Sequence, residues 1–237
     1  MSERAPLPQA LQQPAPGRVL MFAPHADDDV IGCGGTLAQH AAQGDPVRVV
    51  VVYDGRRGDS IQAHDPEDYV ALRRAEALRA GAHLGLSDYE FWDYPEGHEP
   101  GPAELSAAAE RVSQLIQSLR PDVIYAPWVG EQHIDHHVLG RVVRLGVARA
   151  GFQGRVLGYE VWTPLVPTLI VNISAYFEAK QAALGEHASQ HAEIAHMNHK
   201  ALAISAQRAM YLNPEDLHGE GFCLLGPVSG ADLELLD

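Results

Sequence analysis

Short apolar runs rich in β-branched residues alternate with helix-like segments along most of this chain. Residues 19–22, Val47–Tyr53 and 123–126 are almost continuously apolar, which is typical of strands buried on both faces of a parallel sheet. Further strand candidates are residues 89–92, 155–161 and 168–173. Because parallel strands need crossover connections, this order predicts an α/β domain with a mostly parallel sheet and helices on both faces.

The helical segments between these strands have recognisable starts and ends. One begins with Asp65 as N-cap and Pro66 in the first turn, and it ends near Gly85. Its apolar stripe consists of Ala71, Ala75, Leu78 and Ala82. A second helix is predicted over Pro102–Leu119, and one long helix is predicted from residue 175 to about residue 210.

Length and the pattern of the first residues predict one domain. A chain of 237 residues fits a single α/β domain over residues 18–237. Residues 1–17 are rich in Pro, Gln and Ala, so we expect a flexible tail and no signal peptide. The longest uncharged stretch, residues 163–177, contains two prolines and is too short to cross a membrane.

Charge and cysteine content restrict the partners and the chemistry. The chain has 17 Lys and Arg against 31 Asp and Glu, a net charge of −14, which disfavours nucleic-acid binding and docking to anionic membranes. Acidic charge leaves monomer and homo-oligomer equally open. Two cysteines exclude a disulfide framework and favour a cytoplasmic protein. With 13 histidines, any catalytic metal would be held by nitrogen and oxygen ligands.

The loop after the first apolar strand carries one imidazole and three carboxylates within five positions. His25 is followed by Asp27, Asp28 and Asp29. Adjacent like charges repel, and buried carboxylates are unstable unless they are paired or bound to a cation. A divalent metal ion would remove this conflict. The alternative is that the three aspartates only cap the following helix.

A second cluster follows the strand at residues 123–126. It contains Glu131, His133, Asp135 and two more histidines, His136 and His137. Ligands of open α/β sheets bind beyond the carboxyl ends of the strands, so the two clusters would meet if their strands are neighbours. His25, Asp28 and His136 would then form a set of two histidines and one carboxylate, as in catalytic zinc sites. The alternative is a solvated, histidine-rich loop.

Together the two clusters resemble the signature motifs of the LmbE / PIG-L family of zinc-dependent N-acetylglucosaminyl deacetylases. The matching residues are His25-Ala26-Asp27-Asp28 with the glycines of residues 31–35, and His133-Ile134-Asp135-His136. Weaker matches are Arg73, Glu76, residues 94–97, Lys180, residues 187–190 and residues 220–222. The resemblance covers about residues 18–225 and implies a three-layer Rossmann-like fold.

The resemblance also implies roles for these residues. His25, Asp28 and His136 would bind one Zn²⁺, or another divalent ion. The ion would lower the pKa of its bound water to about 7, and Asp27 would act as general base as that water attacks an amide carbonyl. His133 would stabilise the oxyanion or protonate the leaving amine, and Asp135 would orient a histidine.

Substrate contacts are less clearly marked. The family often has Pro at the position of Ala26, Glu at that of Asp29, and a tyrosine before the second motif, where Trp128, Glu131 and Gln132 stand here. The candidate substrate-binding residues are Arg56, Arg57, Trp128 and His187, with ordinary surface arginines as the alternative for the first two. Trp92, Trp128 and Trp162 fall near predicted strand ends. They could stack against a sugar, and the alternative is that they belong to the core.

Other catalytic motifs are incomplete. Gly32, Gly34 and Gly35 lack the third glycine of a dinucleotide fingerprint, so we expect them to allow a tight turn behind the metal loop. His187 and His191 lie four apart without the glutamate of a metalloprotease helix, which favours a solvated or substrate-lining face. Cys33 is expected to be a packed thiol, and no G-x-S-x-G motif is present.

These observations favour removal of the acetyl group from an N-acetylglucosamine-type amino sugar or its conjugate. An amidase acting on a thiol conjugate or another small amide on the same scaffold is the alternative enzyme. A non-catalytic metal- or sugar-binding module is the alternative outside enzymes, although Asp27 and His133 would have no purpose in a pure binding protein.

Overall fold

The computed structural model describes residues 6–59, 61–191 and 197–225. Within these residues eight strands form one sheet. The strands are β1 (Gln9–Leu11), β2 (Val19–Ala23), β3 (Val47–Tyr53), β4 (Asp88–Tyr94), β5 (Val123–Pro127), β6 (Arg155–Tyr159), β7 (Leu169–Asn172) and β8 (Gly219–Leu224). The helices are α1 (Asp28–Ala42), α2 (Pro66–His83), α3 (Pro102–Leu119), α4 (Ile134–Ala150), α5 (Phe177–Gly185), α6 (Ala188–His191) and α7 (Met197–Arg208).

The sheet is mostly parallel and has the strand order β1-β7-β8-β6-β5-β2-β3-β4. Strand β2 pairs in parallel with both β3 and β5, with Val19 opposite Val47 on one side and Val123 on the other. Strand β8 is antiparallel to both of its neighbours, β6 and β7. The direct pairing of β2 with β5 brings the two acid/histidine segments to one place at the carboxyl edge.

Helices cover both faces of the sheet, and each face has its own apolar core. Met21 and Val49 point to the face covered by α1, α2, α5 and α7. Their neighbours Leu20 and Val50 point to the opposite face, which α3 and α4 cover. This alternation follows from the two-residue period of a strand, and it explains why the strand sequences are apolar throughout. The predicted three-layer α/β architecture is confirmed.

Most predicted elements are present with small shifts at their ends. Val47–Tyr53 and Pro102–Leu119 have the predicted bounds. The helix predicted after Asp65 is α2, and the Asp65 side chain accepts a hydrogen bond from the N–H of Glu67 as an N-cap does. No helix in the described ranges is long and apolar enough to span a membrane.

The single long helix predicted from residue 175 to about residue 210 is wrong. The chain forms a 3₁₀ turn at Ser174–Tyr176 and then α5, which ends at Gly185. Helix α6 begins only at Ala188, and α7 covers Met197–Arg208, with residues 192–196 outside the described ranges. The apolar pattern of the sequence continues past Gly185, which is its only stop signal. Helix α5 ends at this residue because glycine has a low helix propensity.

Two strands were missed. Strand β1, at Gln9–Leu11, lies within the segment expected to be a flexible tail, where it pairs with β7 at the edge of the sheet. The sheet therefore begins before residue 18, while the division into a tail and one domain stays a prediction. Strand β8 contains Gly219 and Gly221, which depress strand propensity, so only tertiary pairing with two neighbours identifies it.

The glycines after the first motif do not make the expected turn. Gly32, Gly34 and Gly35 lie inside α1, and none of them has a positive φ. A Cβ on Gly35 would lie 2.5 Å from Cβ of Ile173, and a Cβ on Gly32 would collide with Cδ2 of Tyr159. These glycines therefore allow α1 to approach the sheet closely, with its N-terminus at the carboxyl edge.

We expect Gly32→Ala to lower the free energy of unfolding by about 1–3 kcal/mol, because the new methyl group overlaps the buried ring of Tyr159. Gly185→Ala is the matched control, since no atom of the described residues lies within 4 Å of a Cβ at that position in α5. Urea unfolding followed by circular dichroism measures both variants. Equal stability of the two variants would contradict the close approach of α1.

Candidate metal centre and active site

The candidate site lies where β2 and β5 end next to each other. Pro24 to Asp27 connect β2 to α1, so that His25 lies in the loop and Asp28 is the first residue of α1. The segment after β5 runs through His133, the N-cap residue of α4, and Asp135 and His136 lie in the first turn of that helix. Two helix N-termini with their polar first turns therefore face one another at the sheet edge.

His25, Asp28 and His136 come together as a compact buried set. Their candidate ligand atoms all lie within 4.8 Å of one another. Oδ2 of Asp28 lies 3.2 Å from Nδ1 of His25 and 3.2 Å from Nε2 of His136. The same oxygen accepts a hydrogen bond of 2.9 Å from the backbone N–H of His25. The residues that the sequence predicts as metal ligands thus direct their ligand atoms toward one small region.

The electrostatics of this set are those of a cation site. Burial lowers the pKa of His25, but hydrogen bonds to Asp135 and Asp28 outweigh burial and raise it to about 10. Burial raises the pKa of Asp28, but the imidazoles of His136 and His25 outweigh burial and bring it well below its usual value. The carboxylates around His25 therefore favour a positive charge in this pocket, even where that charge is only a proton on the imidazole.

The donor set fits a divalent ion such as Zn²⁺. His136 is completely buried, yet neither of its ring nitrogens makes a hydrogen bond within the described part of the chain. A buried imidazole whose nitrogens lie near carboxylates without making hydrogen bonds is costly unless a ligand is present. Two imidazoles and one carboxylate with space for a further ligand are the donors of a catalytic zinc site. A second overlapping group, His25, His133 and Asp135, also satisfies the distance criterion.

Asp135 lies within hydrogen-bond distance of His25. Its side chain is fully buried, and Oδ2 lies 3.1 Å from Nε2 of His25. It also accepts hydrogen bonds of 2.9 and 3.1 Å from the N–H of Gly97, which lies in a left-handed turn (φ 68°) after Glu96. Metal-bound histidines commonly donate their second ring N–H to a carboxylate, which leaves Nδ1 of His25 directed at Asp28.

Asp27 is held by an arginine that the sequence motif alone did not connect to it. Asp27 is the N-cap residue of α1 but makes no side-chain cap, and its Oδ1 accepts a hydrogen bond of 3.1 Å from Nη2 of Arg73. Arg73 is buried on α2, and its Nη1 donates to the carbonyl of Gly55. The guanidinium therefore fixes the carboxylate of Asp27 beside the ligand set and provides its counter-charge.

His133 lies on the outer side of the ligand set. Its ring centroid is 5.2 Å from that of His25 and 4.8 Å from that of His136. Burial, reinforced by the neighbouring His136 and His25, lowers the pKa of His133 below its usual value. A neutral ring can donate an N–H to a developing oxyanion, whereas protonation of a leaving amine requires a proton taken up first.

The two candidate arginines differ in their positions. Nε of Arg56 donates to Asp54 at 2.6 Å, and this exposed side chain also faces Glu67 on α2, outside the ligand set. Arg57 is exposed, and its backbone N–H donates to Glu96, whose Oε1 lies 3.7 Å from Nε2 of His25. Of the two, Arg57 lies nearer to the site.

The side chains of Trp128 and His187 pack within the fold. Nε1 of Trp128 donates a hydrogen bond of 2.8 Å to the carbonyl of Thr163, and its ring packs closely over Gly130. His187 is buried just before α6 rather than on a solvated helix face, and its neighbour Ser189 bonds to Glu76 of α2. The side chain of His191 lies outside the described part of the structure. Substrate contacts by Arg56, Arg57, Trp128 and His187 stay predictions.

Glu131 has a role that sequence reasoning missed. It stands two residues before His133, but its side chain turns inward, and the residue is 2 % exposed. Oε1 accepts hydrogen bonds from the N–H groups of Val161 (2.7 Å) and Trp162 (3.2 Å). Oε2 lies 3.7 Å from Nδ1 of His136. Glu131 therefore joins the loop after β6 to the ligand set. The available signal in the sequence was an acid in the loop after a buried strand, four residues beyond the end of β5.

Behind α1 a buried ion pair joins α5 and β8 to that helix. Nζ of Lys180, on α5, lies 2.7 Å from Oε1 of Glu220 on β8 and donates to the carbonyl of Ile31 at 2.9 Å. The carboxylate of Glu220 also accepts the backbone N–H groups of Gly35 and Thr36. Lys180 and Glu220 were weak motif matches in the sequence, and the structure joins them through α1.

We expect Lys180→Met to lower the free energy of unfolding by about 3–5 kcal/mol, because Glu220 would remain buried without a counter-charge. The double variant Lys180→Met with Glu220→Gln should be more stable than Lys180→Met alone. Arg79→Met removes an exposed ion pair with Glu186 and should cost no more than about 1 kcal/mol. Urea unfolding measures all three, and a Lys180→Met loss no larger than that of Arg79→Met would contradict this assignment.

Comparison with known proteins agrees with the geometry. The family model PIG-L, described as GlcNAc-PI de-N-acetylase, matches residues 20–146, more than half of the chain. This range contains Asp27 and both proposed ligand segments. The chain therefore belongs to the PIG-L (LmbE) family.

Two curated relatives are 1D-myo-inositol 2-acetamido-2-deoxy-alpha-D-glucopyranoside deacetylases. The one from Kineococcus radiotolerans is 33% identical over 62% of this chain and 49% of its own length. The one from Mycobacterium sp. (strain KMS) is 29% identical over 81% of this chain and 80% of its own. The chain thus spans about half of the first relative.

Among solved structures, N,N'-diacetylchitobiose deacetylase from Pyrococcus horikoshii is similar with a TM-score of 0.76 and 24% identity. The match covers 88% of this chain and 83% of that one. At this identity the similarity establishes a shared fold.

Proposed function

We propose that the protein is a zinc-dependent N-deacetylase that hydrolyses the acetamide of an N-acetylglucosamine-type amino sugar or its conjugate. The observation that carries this proposal is the meeting of His25, Asp28 and His136 at one sheet edge, with Asp27 fixed beside them by Arg73. Two relatives that deacetylate an N-acetylglucosamine conjugate of inositol support the substrate class.

The ligand set would hold a divalent ion, and the ion would supply Lewis-acid chemistry. Bound to His25, Asp28 and His136, a divalent ion would acidify a water and polarise the acetyl carbonyl. The chain's own groups do the remaining work. Asp135 keeps His25 in one orientation, so that the imidazole presents Nδ1 toward Asp28. Preorganisation of this kind removes the need for reorganisation during the reaction.

Asp27 and His133 divide the proton and charge transfers. Asp27 accepts a proton from the attacking water, since Arg73 holds its carboxylate in place. His133 donates a hydrogen bond to the carbonyl oxygen as negative charge develops there. The proton held by Asp27 is then available for the nitrogen that leaves as the free amine. In this scheme one carboxylate serves as base and then as acid, and the neutral state of His133 favoured by its lowered pKa is sufficient.

We expect purified protein to release acetate from N-acetylglucosamine conjugates, and treatment with a chelator to abolish this release. Restoring Zn²⁺ should restore the rate. Acetate release is measured with a coupled enzyme assay over a panel of N-acetyl sugars, with N-acetylated thiol conjugates as comparison substrates. Protein that holds metal and yet leaves the whole amino-sugar panel intact would contradict the proposed function.

Asp27→Asn should retain the bound metal and lose activity by about 10²–10⁴-fold, because it removes the proton acceptor while leaving the three ligands in place. His136→Ala should instead reduce the bound metal, because it removes one of the ligands. Metal content, measured by inductively coupled plasma mass spectrometry, separates the two effects. Thermal unfolding checks that each variant is folded. Normal rates in both variants would contradict the assigned roles.

A further inference from the structure

Trp162 is an exposed aromatic residue held rigidly beside the site. Its side chain is 45% exposed, whereas Trp92 is buried. Its ring lies nearly parallel to that of His133, with an interplanar angle of 17° and a centroid distance of 6.4 Å. The ring of His133 therefore lies next to the indole, and the same ring contacts both histidines of the ligand set.

The backbone around Trp162 is fixed by a buried carboxylate. Glu131 accepts hydrogen bonds from the consecutive N–H groups of Val161, Trp162 and Thr163. Thr163 is further tied to the segment after β5, because its carbonyl accepts Nε1–H of Trp128 and its Oγ1 accepts the N–H of Gln132. Burying a carboxylate is unfavourable without such donors, so Glu131 is satisfied only when this loop is in place.

Two apolar residues on the segment after β5 are also exposed. Val129 and Ile134, on the segment that Glu131 joins to the Trp162 loop, are 41% and 38% exposed. A rigid, half-exposed indole suits the C–H face of a six-membered sugar or cyclitol ring, which is apolar while its hydroxyl groups point outward.

We propose that Trp162 is a specificity-determining residue that stacks against the ring attached to the N-acetylhexosamine, and that Glu131 holds it in position. This inference rests on the proposed function, because an acetamide at the ligand set fixes where the rest of the substrate lies. The hexosamine ring is bonded directly to the acetamide and lies beside His133. The next ring along the substrate then reaches Trp162, one ring further out.

The test compares a one-ring and a two-ring substrate, N-acetylglucosamine and N,N'-diacetylchitobiose. Trp162→Ala should lower kcat/KM for the two-ring substrate by about tenfold and that for the one-ring substrate by less than about twofold, because only the second ring loses its stacking partner. Trp162→Tyr should retain most of the preference, since it keeps an aromatic face. Val166→Ala is the control, because this exposed residue lies on the same loop four positions later.

Equal losses for both substrates would overturn the assignment of Trp162 to the second ring, and unchanged rates for both would overturn any contact. A change of oligomeric mass in Trp162→Ala, measured by light scattering, would also overturn it by making the indole an interface between copies. If wild-type protein hydrolyses neither sugar, the proposed function fails. Saturation-transfer NMR of both sugars with Asp27→Asn and with the Trp162→Ala, Asp27→Asn double variant then still measures the stacking contact directly.

Discussion

The burial of four aspartates at one end of the sheet is the constraint on which the rest of the site depends. Asp27, Asp28, Asp29 and Asp135 are all nearly inaccessible to water. Buried carboxylates are stable only with partners, and each of these has its own set of partners. The partners are Arg73 for Asp27, two histidines for Asp28, the hydroxyl of Tyr89 for Asp29, and the N–H of Gly97 with His25 for Asp135.

These different partners separate the chemical properties of adjacent residues. Burial raises the pKa of Asp29 to about 7, even though Tyr89 donates a hydrogen bond to it. The pKa of Asp28, one residue away, lies well below its usual value because imidazoles face it. A run of three like residues therefore becomes three distinct groups: one with a histidine environment, one with an arginine and one with a tyrosine. The proposed division of labour between Asp27 and Asp28 follows from which elements approach each side chain.

The sequence was informative wherever the signal was local. The strands around Val49 and Ile124 were recognisable because residues buried on both faces leave no polar positions, and α2 because Asp65 and Pro66 mark its start. The proposed ligand set was recognisable because its residues occupy two short motifs after strands. The long C-terminal helix, the strand β8 and the inward turn of Glu131 were not, since each depends on contacts between residues far apart in the chain.

The sequence by itself determined the α/β architecture and the two segments that carry the acids and histidines, because strand periodicity and helix capping are short-range properties. The tertiary structure decided how those segments work together. The parallel pairing of β2 with β5 makes one site of two loops, Arg73 from α2 reaches Asp27, and Lys180 with Glu220 holds α1 from behind. Whether a buried charge has a partner is decided by packing, and packing joins residues that are distant in the chain.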